Sequence, residues 1–287
     1  MYWKESVLEF EKLLHAEEKS GGTIEKYMRD VRTFLIYIEG REWRKENIIA
    51  YKGYLAEKYA ASTANTMLVA MNRFFDFINR RDLQVKPLKV QRKIFSRQEK
   101  ELSKGEYIRL VQAAERKGDQ QLALILQTIC ATGIRVSELQ FITVEALYAG
   151  RAEVRGKGKQ RVIFIPKNLK KMLMKFIKCR GVKDGSIFIT KRGRPIERTN
   201  VWSKMKKLCE AAGVRREKVF PHNLRHLFAR VFYGLEKDIA KLADILGHSS
   251  IETTRIYIME SGERHLERME RMNLVINLRL EKGERRL

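Results

Sequence analysis

The chain has 287 residues, 44% of them apolar, which is enough to fill the core of one large domain or two ordinary ones. This composition excludes disorder, collagen-like repeats and a small disulfide scaffold. The 59 basic and 35 acidic side chains give a formal net charge of +24, and only 16 of the basic and 13 of the acidic ones lie in residues 1–90. The excess in residues 91–287 attracts polyanions, which include nucleic acid, an anionic membrane and the ribosome.

The spacing of the cysteines and the length of the apolar runs indicate the cellular compartment of the protein. Cys130, Cys179 and Cys209 fit neither a zinc-binding spacing nor a disulfide framework, so we expect three free thiols. The amino-terminal segment lacks the apolar run of a signal peptide, and no run approaches the ~20 residues that cross a bilayer. We therefore expect a cytoplasmic protein with no membrane partner.

Four amphipathic helices are predicted in residues 1–85. In the clearest of them, Val31, Phe34 and Ile38 follow a helical period. The four segments are residues 6–16, 23–39, 45–59 and 62–80. Helices this short are marginal alone, so we expect them to form one mutually stabilised unit.

Residues 86–102 are predicted to link this unit to a second domain. The segment is basic, contains Pro87 and has no apolar period. Two interpretations fit it equally: a connector that lies against something negatively charged, or an ordinary solvated linker.

The second domain, residues 103–287, is predicted to be mainly helical. It begins at a capping box, Ser103 to Glu106, and contains an apolar helix over residues 121–132 that ends at Gly133. Alternating apolar and polar residues predict a β-hairpin, formed by residues 151–155 and 161–165, with a candidate third strand at 186–190. The predicted fold class is therefore mainly α with a small antiparallel β-sheet (α+β).

At five places the sequence has polar or charged residues that packing of the fold does not require. Arg135 and Glu138 lie three residues apart after a helix end, a spacing that also suits a surface ion pair. The hairpin tip, GKGKQR, could bring lysine to an anion, although such turns are usually only solvated. The other three are His222 with Arg225 after Pro221, His248 after Gly247, and Tyr257.

Each of the last three places has a structural explanation as well as a functional one. His222 and Arg225 share a helix face near its amino terminus, where a phosphate could bind, but capping and packing explain the pattern equally. Taken alone, His248 is a helix cap and Tyr257 is a core residue.

Read in order, TGIRVSEL, GKGKQR, HNLRH and LGHSSIETTRIYI closely resemble the tyrosine recombinase family, and most of all its compact Xer-like and transposon-type integrases. The resemblance covers about residues 5–270, and the last string is its most specific part. It implies an amino-terminal SAM-like core-binding domain and a catalytic domain that ends in a helix exchanged between subunits. This helix would be formed by residues 262–280, in which Leu266, Met269, Met272 and Ile276 follow a helix-like stripe. The alternative is that the stripe packs against its own domain.

The resemblance also implies roles for individual residues. Tyr257 attacks the scissile phosphate and forms a 3′-phosphotyrosyl bond, while Arg135 and Arg225 hold the nonbridging oxygens. Lys157 protonates the leaving 5′-oxygen, with Lys159 as an alternative.

Three further residues support this chemistry in the family. His222 assists proton transfer at the tyrosine or binds the phosphate, His248 donates to a nonbridging oxygen, and Glu138 orients a neighbour. The expected DNA-binding residues are Lys86, Lys89, Arg92, Lys93, Arg97, Lys159 and Arg161.

The reaction implied is site-specific recombination by transesterification, which needs neither a metal nor another cofactor. The expected partner is double-stranded DNA, bound by a homotetramer on paired sites, alone or with a paralogous recombinase. Two alternatives are a type IB topoisomerase, which would use a similar residue set, and a noncatalytic DNA-binding protein of the same fold.

Overall fold

The computed structural model describes residues 3–90, 100–156, 159–258, 266 and 269–272. The chain divides into two compact units, Met1–Arg92 and Lys93–Leu287. The described residues are mainly helical and contain one small antiparallel sheet, so the predicted fold class is confirmed.

Four helices build the first unit, and the structure confirms each of the four predicted ones to within a few residues at its ends. They are α1 (Trp3–Ala16), α2 (Gly21–Ile38), α3 (Lys45–Lys58) and α4 (Ala61–Phe77). Phe34 is fully buried at the centre of this unit. Its ring lies 5.3–5.7 Å, centroid to centroid, from the rings of three neighbours, Trp43, Tyr51 and Phe75. The edge-to-face geometry of these pairs adds to the stability that burial provides.

Two asparagines on α4 hold the segment that follows it. The Asn72 side-chain amide donates to the Val85 carbonyl (2.8 Å) and accepts from the Val85 N–H (3.1 Å). Asn65 makes the same pair of bonds with Leu88, at 2.9 and 2.7 Å. Residues 85–88 therefore belong to the first unit, although residues 86–88 were predicted to be part of the linker.

Among the described residues, the second unit contains nine α-helices, two complete 3-10 helices and one β-hairpin. After α5 (Lys104–Arg116) and α6 (Gln120–Thr132), a 3-10 helix spans Val136–Phe141. The rest are α7 (Val144–Ala149), β1 (Arg151–Gly156), β2 (Lys159–Phe164), α8 (Lys167–Arg180), α9 (Arg198–Lys206), α10 (Cys209–Ala212), a 3-10 helix (Arg216–Lys218), α11 (Pro221–Glu236), α12 (Ile239–Leu246) and α13 (Ile251–Ile258).

Helix α6 lies in the core of this unit, as its apolar sequence predicts. Ile125 and Leu126 are fully buried, and the helix ends at Gly133, whose φ of 65° is in the left-handed region. A Cβ at Gly133 would lie 2.5 Å from the Phe228 ring on α11. Glycine is required here both for the backbone turn and for the close approach of α11.

The strand predicted at residues 186–190 is wrong. This segment makes only two isolated bridges, Thr143 with Ser186 and Ile189 with Pro195, and the one sheet in the described residues has two strands. Ile187 and Phe188 are both fully buried although they are adjacent. The apolar pattern therefore reflects burial of the segment on both sides and not the alternation of a strand.

The remaining sequence expectations concern the membrane and the carboxyl-terminal helix. Among the helices described, none is long and apolar enough to cross a bilayer. Most of the expected exchange segment, residues 262–280, lies outside the described residues. Its described apolar residues are all exposed, and they are Leu266, Met269 and Met272.

Candidate active site

The first part of the site forms where α6 ends. Gly133 reverses the backbone, Arg135 is extended, and a 3-10 helix begins at Val136. The Glu138 carboxylate accepts hydrogen bonds from the Arg135 backbone N–H (2.8 Å) and from Arg135 Nη1 (2.9 Å). Arg135 keeps 42% of its side chain exposed. Glu138 thus fixes the direction of a guanidinium that still faces solvent.

Arg225 forms the buried centre of the site. It lies in the first turns of α11, which begins at Pro221 as predicted, and it is 1% exposed. Its Nη1 donates to the Gly133 carbonyl (2.5 Å) and its Nη2 to the Leu246 carbonyl (2.6 Å). Burial, and then the nearby Arg135 cation, lower the pKa of Arg225 to about 10. The side chain therefore remains charged at neutral pH.

The contacts of His248 determine its tautomer. Its Nε2 lies 2.9 Å from Arg225 Nη2, and its Nδ1 lies 2.8 Å from Thr254 Oγ1. Because a guanidinium can only donate, Nε2 accepts, and the ring proton resides on Nδ1 and faces Thr254. Burial, followed by the charge of Arg225, lowers the pKa of His248 to about 4, which agrees with a neutral ring.

Three histidine rings surround Tyr257, which lies on α13 and is 7% exposed. The His226 ring stacks on the tyrosine ring, with centroids 4.1 Å apart and planes at 15°. The His222 and His248 rings lie 5.2 and 5.0 Å from it. Partial desolvation by the surrounding rings, and then the Arg225 and Arg135 cations, lower the pKa of His222, although the residue is exposed on one side. Burial lowers the pKa of His226 to about 4, so both rings are neutral at pH 7.

A cavity of about 480 Å³ opens beside these groups. Its wall includes Arg135, His222 and Arg225, together with Arg198 and Trp202 from α9. The wall therefore combines cations and one neutral imidazole around a space larger than a phosphate group, and the Tyr257 ring packs against His222 of that wall. Such a set can bind an oxyanion and transfer protons to or from a nucleophile.

Comparison with known proteins identifies the family. Residues 100–264 match the model described as the phage integrase family, and residues 7–82 match the phage integrase N-terminal SAM-like domain. The chain is 31% identical over 286 residues to the tyrosine recombinase XerA of Thermococcus kodakarensis, with 96% of this chain and 97% of the relative covered. The chain belongs to the tyrosine recombinase family.

Other relatives and solved structures agree. The recombinase is 29% identical over 262 residues to XerD of Vibrio cholerae, which covers 84% of this chain and 87% of the relative. A crystal structure of XerA recombinase matches with a TM-score of 0.52 at 26% identity, covering 96% and 99% of the two chains. A lambda integrase tetramer bound to a Holliday junction has the same fold, with a TM-score of 0.74 at 20% identity and coverage of 91% and 78%.

The structure brings six of the residues singled out by the sequence into one cluster of the recombinase. These are Arg135, Glu138, His222, Arg225, His248 and Tyr257. Lys157 lies outside the described residues, and Lys159 is described only as the first residue of β2. Their choice as proton donor stays a prediction.

The expected DNA-binding residues fall into separate groups. Lys86 and Lys89 are exposed in the first unit, whereas Arg92, Lys93 and Arg97 lie outside the described residues. Arg161 is different, because its side chain is only 12% exposed. It donates to the Glu138 carboxylate and, through Nη1, to the Ile245 carbonyl (2.6 Å). Arg161 therefore contacts residues of the site from the protein interior.

Sequence reasoning missed one contributor to the cluster and left another with two possible roles. His226, in the HNLRH string, could either pack beside the site or hydrogen-bond to one of its residues, and the structure shows packing, with the His226 ring over the face of the Tyr257 ring. Thr254 was given no role, yet it is fully buried and bonds His248. Helical spacing could have indicated both residues. His226 follows His222 by one turn and Thr254 precedes Tyr257 by three residues, so each shares a helix face with a residue of the site.

Proposed function

We propose that this recombinase cuts and rejoins duplex DNA at specific sites, with Tyr257 as the nucleophile. The observation that carries the proposal is the convergence on one tyrosine of groups from distant segments. The Arg225 guanidinium carbon lies 6.0 Å from the centre of the Tyr257 ring, and three neutral imidazoles surround the ring. Attack by the phenol oxygen on a phosphodiester would form a phosphotyrosyl bond and release a deoxyribose hydroxyl.

Arg135 and Arg225 would stabilise the charge on the nonbridging oxygens during this attack. Arg135 is partly exposed and held in one direction by Glu138, while Arg225 is fixed by two backbone carbonyls. Preorganised donors of this kind need no rearrangement when charge develops, and losing one costs on the order of 10²–10³ in rate.

Proton transfer is assigned to His222 and to a hairpin lysine. A neutral imidazole 5.2 Å from the Tyr257 ring, centre to centre, suits a group that takes up the phenol proton. For the departing 5′-oxygen we propose Lys157, with Lys159 as the alternative. We propose that His248 donates to the phosphate after its Nε2 has gained a proton or its ring has turned away from Arg225.

The energy of the broken phosphodiester bond is retained in the phosphotyrosyl bond, so the proposed reaction uses no metal and no nucleotide cofactor. It is expected to proceed unchanged in EDTA. Lys86 and Lys89 are proposed to contact the DNA backbone, together with Arg92, Lys93, Arg97 and Lys159. With DNA as its substrate and three free cysteines, the enzyme is proposed to act in the reducing cytoplasm.

We also propose that four copies act on two paired DNA sites. Two observations support this assembly. The structural neighbour named above is a tetramer on a Holliday junction. In this chain, Leu266, Met269 and Met272 are exposed at i, i+3 and i+6, which is the face that a partner subunit would cover.

Covalent trapping tests the nucleophile. The recombinase is incubated with a randomised library of duplexes that carry a nick near each candidate position, so that a released fragment diffuses away and the phosphotyrosyl bond persists in detergent. The wild type is expected to give adducts that share a sequence. Tyr257→Phe is expected to bind the selected DNA without forming an adduct, and Tyr148→Phe, at an exposed tyrosine of the same unit, is the matched control.

The outcomes of this experiment are separable. An adduct that persists in Tyr257→Phe contradicts the assignment of the nucleophile. No adduct from the wild type across the library contradicts the proposed cleavage. A wild type that relaxes supercoiled plasmid but never joins two sites would be a topoisomerase.

A further inference from the structure

Arg161 is a charged side chain in an unusual position. It lies on β2 opposite Val154, and 12% of its side chain is exposed. One terminal nitrogen donates to the Glu138 carboxylate and the other to the Ile245 carbonyl at the end of α12. Its Nε is buried without a hydrogen-bond partner. Removing a charged side chain from water costs free energy, so a buried arginine must make interactions that offset this cost.

The path of the Arg161 side chain depends on Gly247. This glycine has a φ of 64°, and a Cβ placed on it would lie 2.5 Å from Arg161 Cδ. The aliphatic part of Arg161 thus passes directly over the backbone between Leu246 and His248. One side chain therefore contacts the hairpin, the Arg135–Glu138 turn and the segment that carries His248.

Arg161 also changes the electrostatics of the site. Glu138 is shared between two guanidinium groups, those of Arg135 and Arg161. Burial alone would raise the pKa of Glu138, but the Arg135 backbone N–H and the two cations outweigh it and hold the pKa low. If Arg161 were absent, the Glu138 charge would be balanced by Arg135 alone. With Arg161 present, the cluster keeps a net positive charge that Arg135 can direct toward a phosphate.

We infer that Arg161 is a positioning residue for the reaction at Tyr257, acting through Glu138 and the Gly247–His248 segment, and that it does not bind DNA directly. The inference rests on the proposed function. The hairpin would then have a second role in addition to carrying a lysine. Arg161 neutralises the Glu138 carboxylate, and this leaves the charge of Arg135 available to bind the phosphate of the substrate.

The matched variants are Arg161→Met and Arg151→Met. Both remove one positive charge from the same hairpin, but Arg151 is an exposed residue of β1. With a DNA sequence that gives an adduct with the wild type, affinity is measured against salt, and the single-turnover cleavage rate is measured at saturating protein. We expect Arg161→Met to lower the cleavage rate by about 100-fold while the slope of log affinity against log salt stays that of Arg151→Met.

A second substrate distinguishes positioning from a general loss of structure. A methylphosphonate at the scissile position lacks the charge that Arg135 stabilises, so the defect of Arg161→Met should shrink at least about tenfold on it. A damaged fold would give the same defect on both substrates. Arg161→Lys, which keeps the charge and most of the stem, is expected to be intermediate and serves if the methionine variant does not fold.

Two results would overturn the inference. One is a cleavage rate of Arg161→Met equal to that of Arg151→Met. The other is a loss of affinity with a salt slope about one unit smaller, which marks a lost phosphate contact. Failure of the wild type to form any adduct would instead reject the proposed function, so the two failures are distinguishable.

Discussion

The two units of the recombinase bury different kinds of side chain. Among the described residues, the first unit buries aromatic and aliphatic groups and one charged side chain, Asp30. The second also has a large apolar core, but it buries Glu138, Asn223, Arg225 and Thr254 beside it. The comparison shows that the core of the first unit is organised mainly by apolar packing, whereas part of the second holds a cluster of polar groups at fixed positions at a cost in desolvation.

The arginines of the second unit test this difference most strongly. Arg225→Lys is expected to lower the single-turnover cleavage rate on the order of 10³-fold, because one ammonium cannot replace the guanidinium at two carbonyls and still face a phosphate. Arg230→Lys on the same helix is the control, since Arg230 bonds Glu101 and the Leu102 carbonyl away from the tyrosine. Equal rates for the two variants would contradict the assignment of Arg225.

Removing a ring from the aromatic core of the first unit should lower its stability greatly without altering the residues of the candidate active site. Phe34→Ala removes a ring that packs on three others, and we expect the free energy of unfolding of this unit to fall by about 3–4 kcal/mol in denaturant titrations. Ile36→Ala, at an exposed position of α2, should change it by less than about 0.5 kcal/mol. Similar values for both would mean that the aromatic cluster does not stabilise the unit.

Acid should weaken the second unit more than the first. The folded-state pKa values of His226 and His248 are about 4, whereas that of an unfolded histidine is near 6.5. Between these values the unfolded chain binds more protons, so stability is highest above pH 6.5 and falls as the pH drops toward 4. Each such histidine contributes up to about 1.4 kcal/mol per pH unit.

The pH dependence is measured as unfolding midpoints from pH 7 to pH 4. His226→Phe keeps an aromatic ring beside Tyr257 without a titrating group, so its stability should depend less on pH than that of the wild type. The first unit contains one histidine, His15, which is exposed. An unchanged slope in His226→Phe would show that the pKa of His226 is the same in the folded and the unfolded chain, which would contradict the lowered folded-state value.

Helix capping gives the smallest expected difference between the units. Ser103 accepts from the Glu106 N–H, and Glu106 accepts from the Ser103 N–H, so Ser103→Ala should cost about 1 kcal/mol. Ser20 precedes α2 without capping it, and Ser20→Ala should cost only a few tenths. Denaturant unfolding of the two variants checks this. A larger loss at Ser20 would contradict the capping interpretation.

The helices and much of the core were predictable from the sequence. The apolar period of α2 placed Val31, Phe34 and Ile38 in the core because a helix of this length must bury one face. The amino terminus of α11 followed from Pro221, and that of α5 from Ser103. The false strand at 186–190 shows the limit of the pattern, because a short buried loop has the same composition as a strand.

The content of the candidate site was predictable only through the order of its motifs. Arg135, His222 and Tyr257 each have an ordinary structural explanation, and no local spacing brings them together. What the sequence could not show is how the side chains share partners. The bonds of Arg161 to Glu138 and to the Ile245 carbonyl join residues 23 and 84 positions apart. Such contacts depend on tertiary packing, on which helical and strand periods carry no information.

Gly247 has a consequence for how this sequence can change over evolutionary time. Any side chain at position 247 would occupy the volume through which Arg161 passes. A substitution there is tolerable only in a lineage that has already lost the arginine, and once the arginine is lost the constraint on the glycine weakens. The two positions should therefore vary together among relatives, although one lies on a strand, the other follows a helix, and 85 residues separate them.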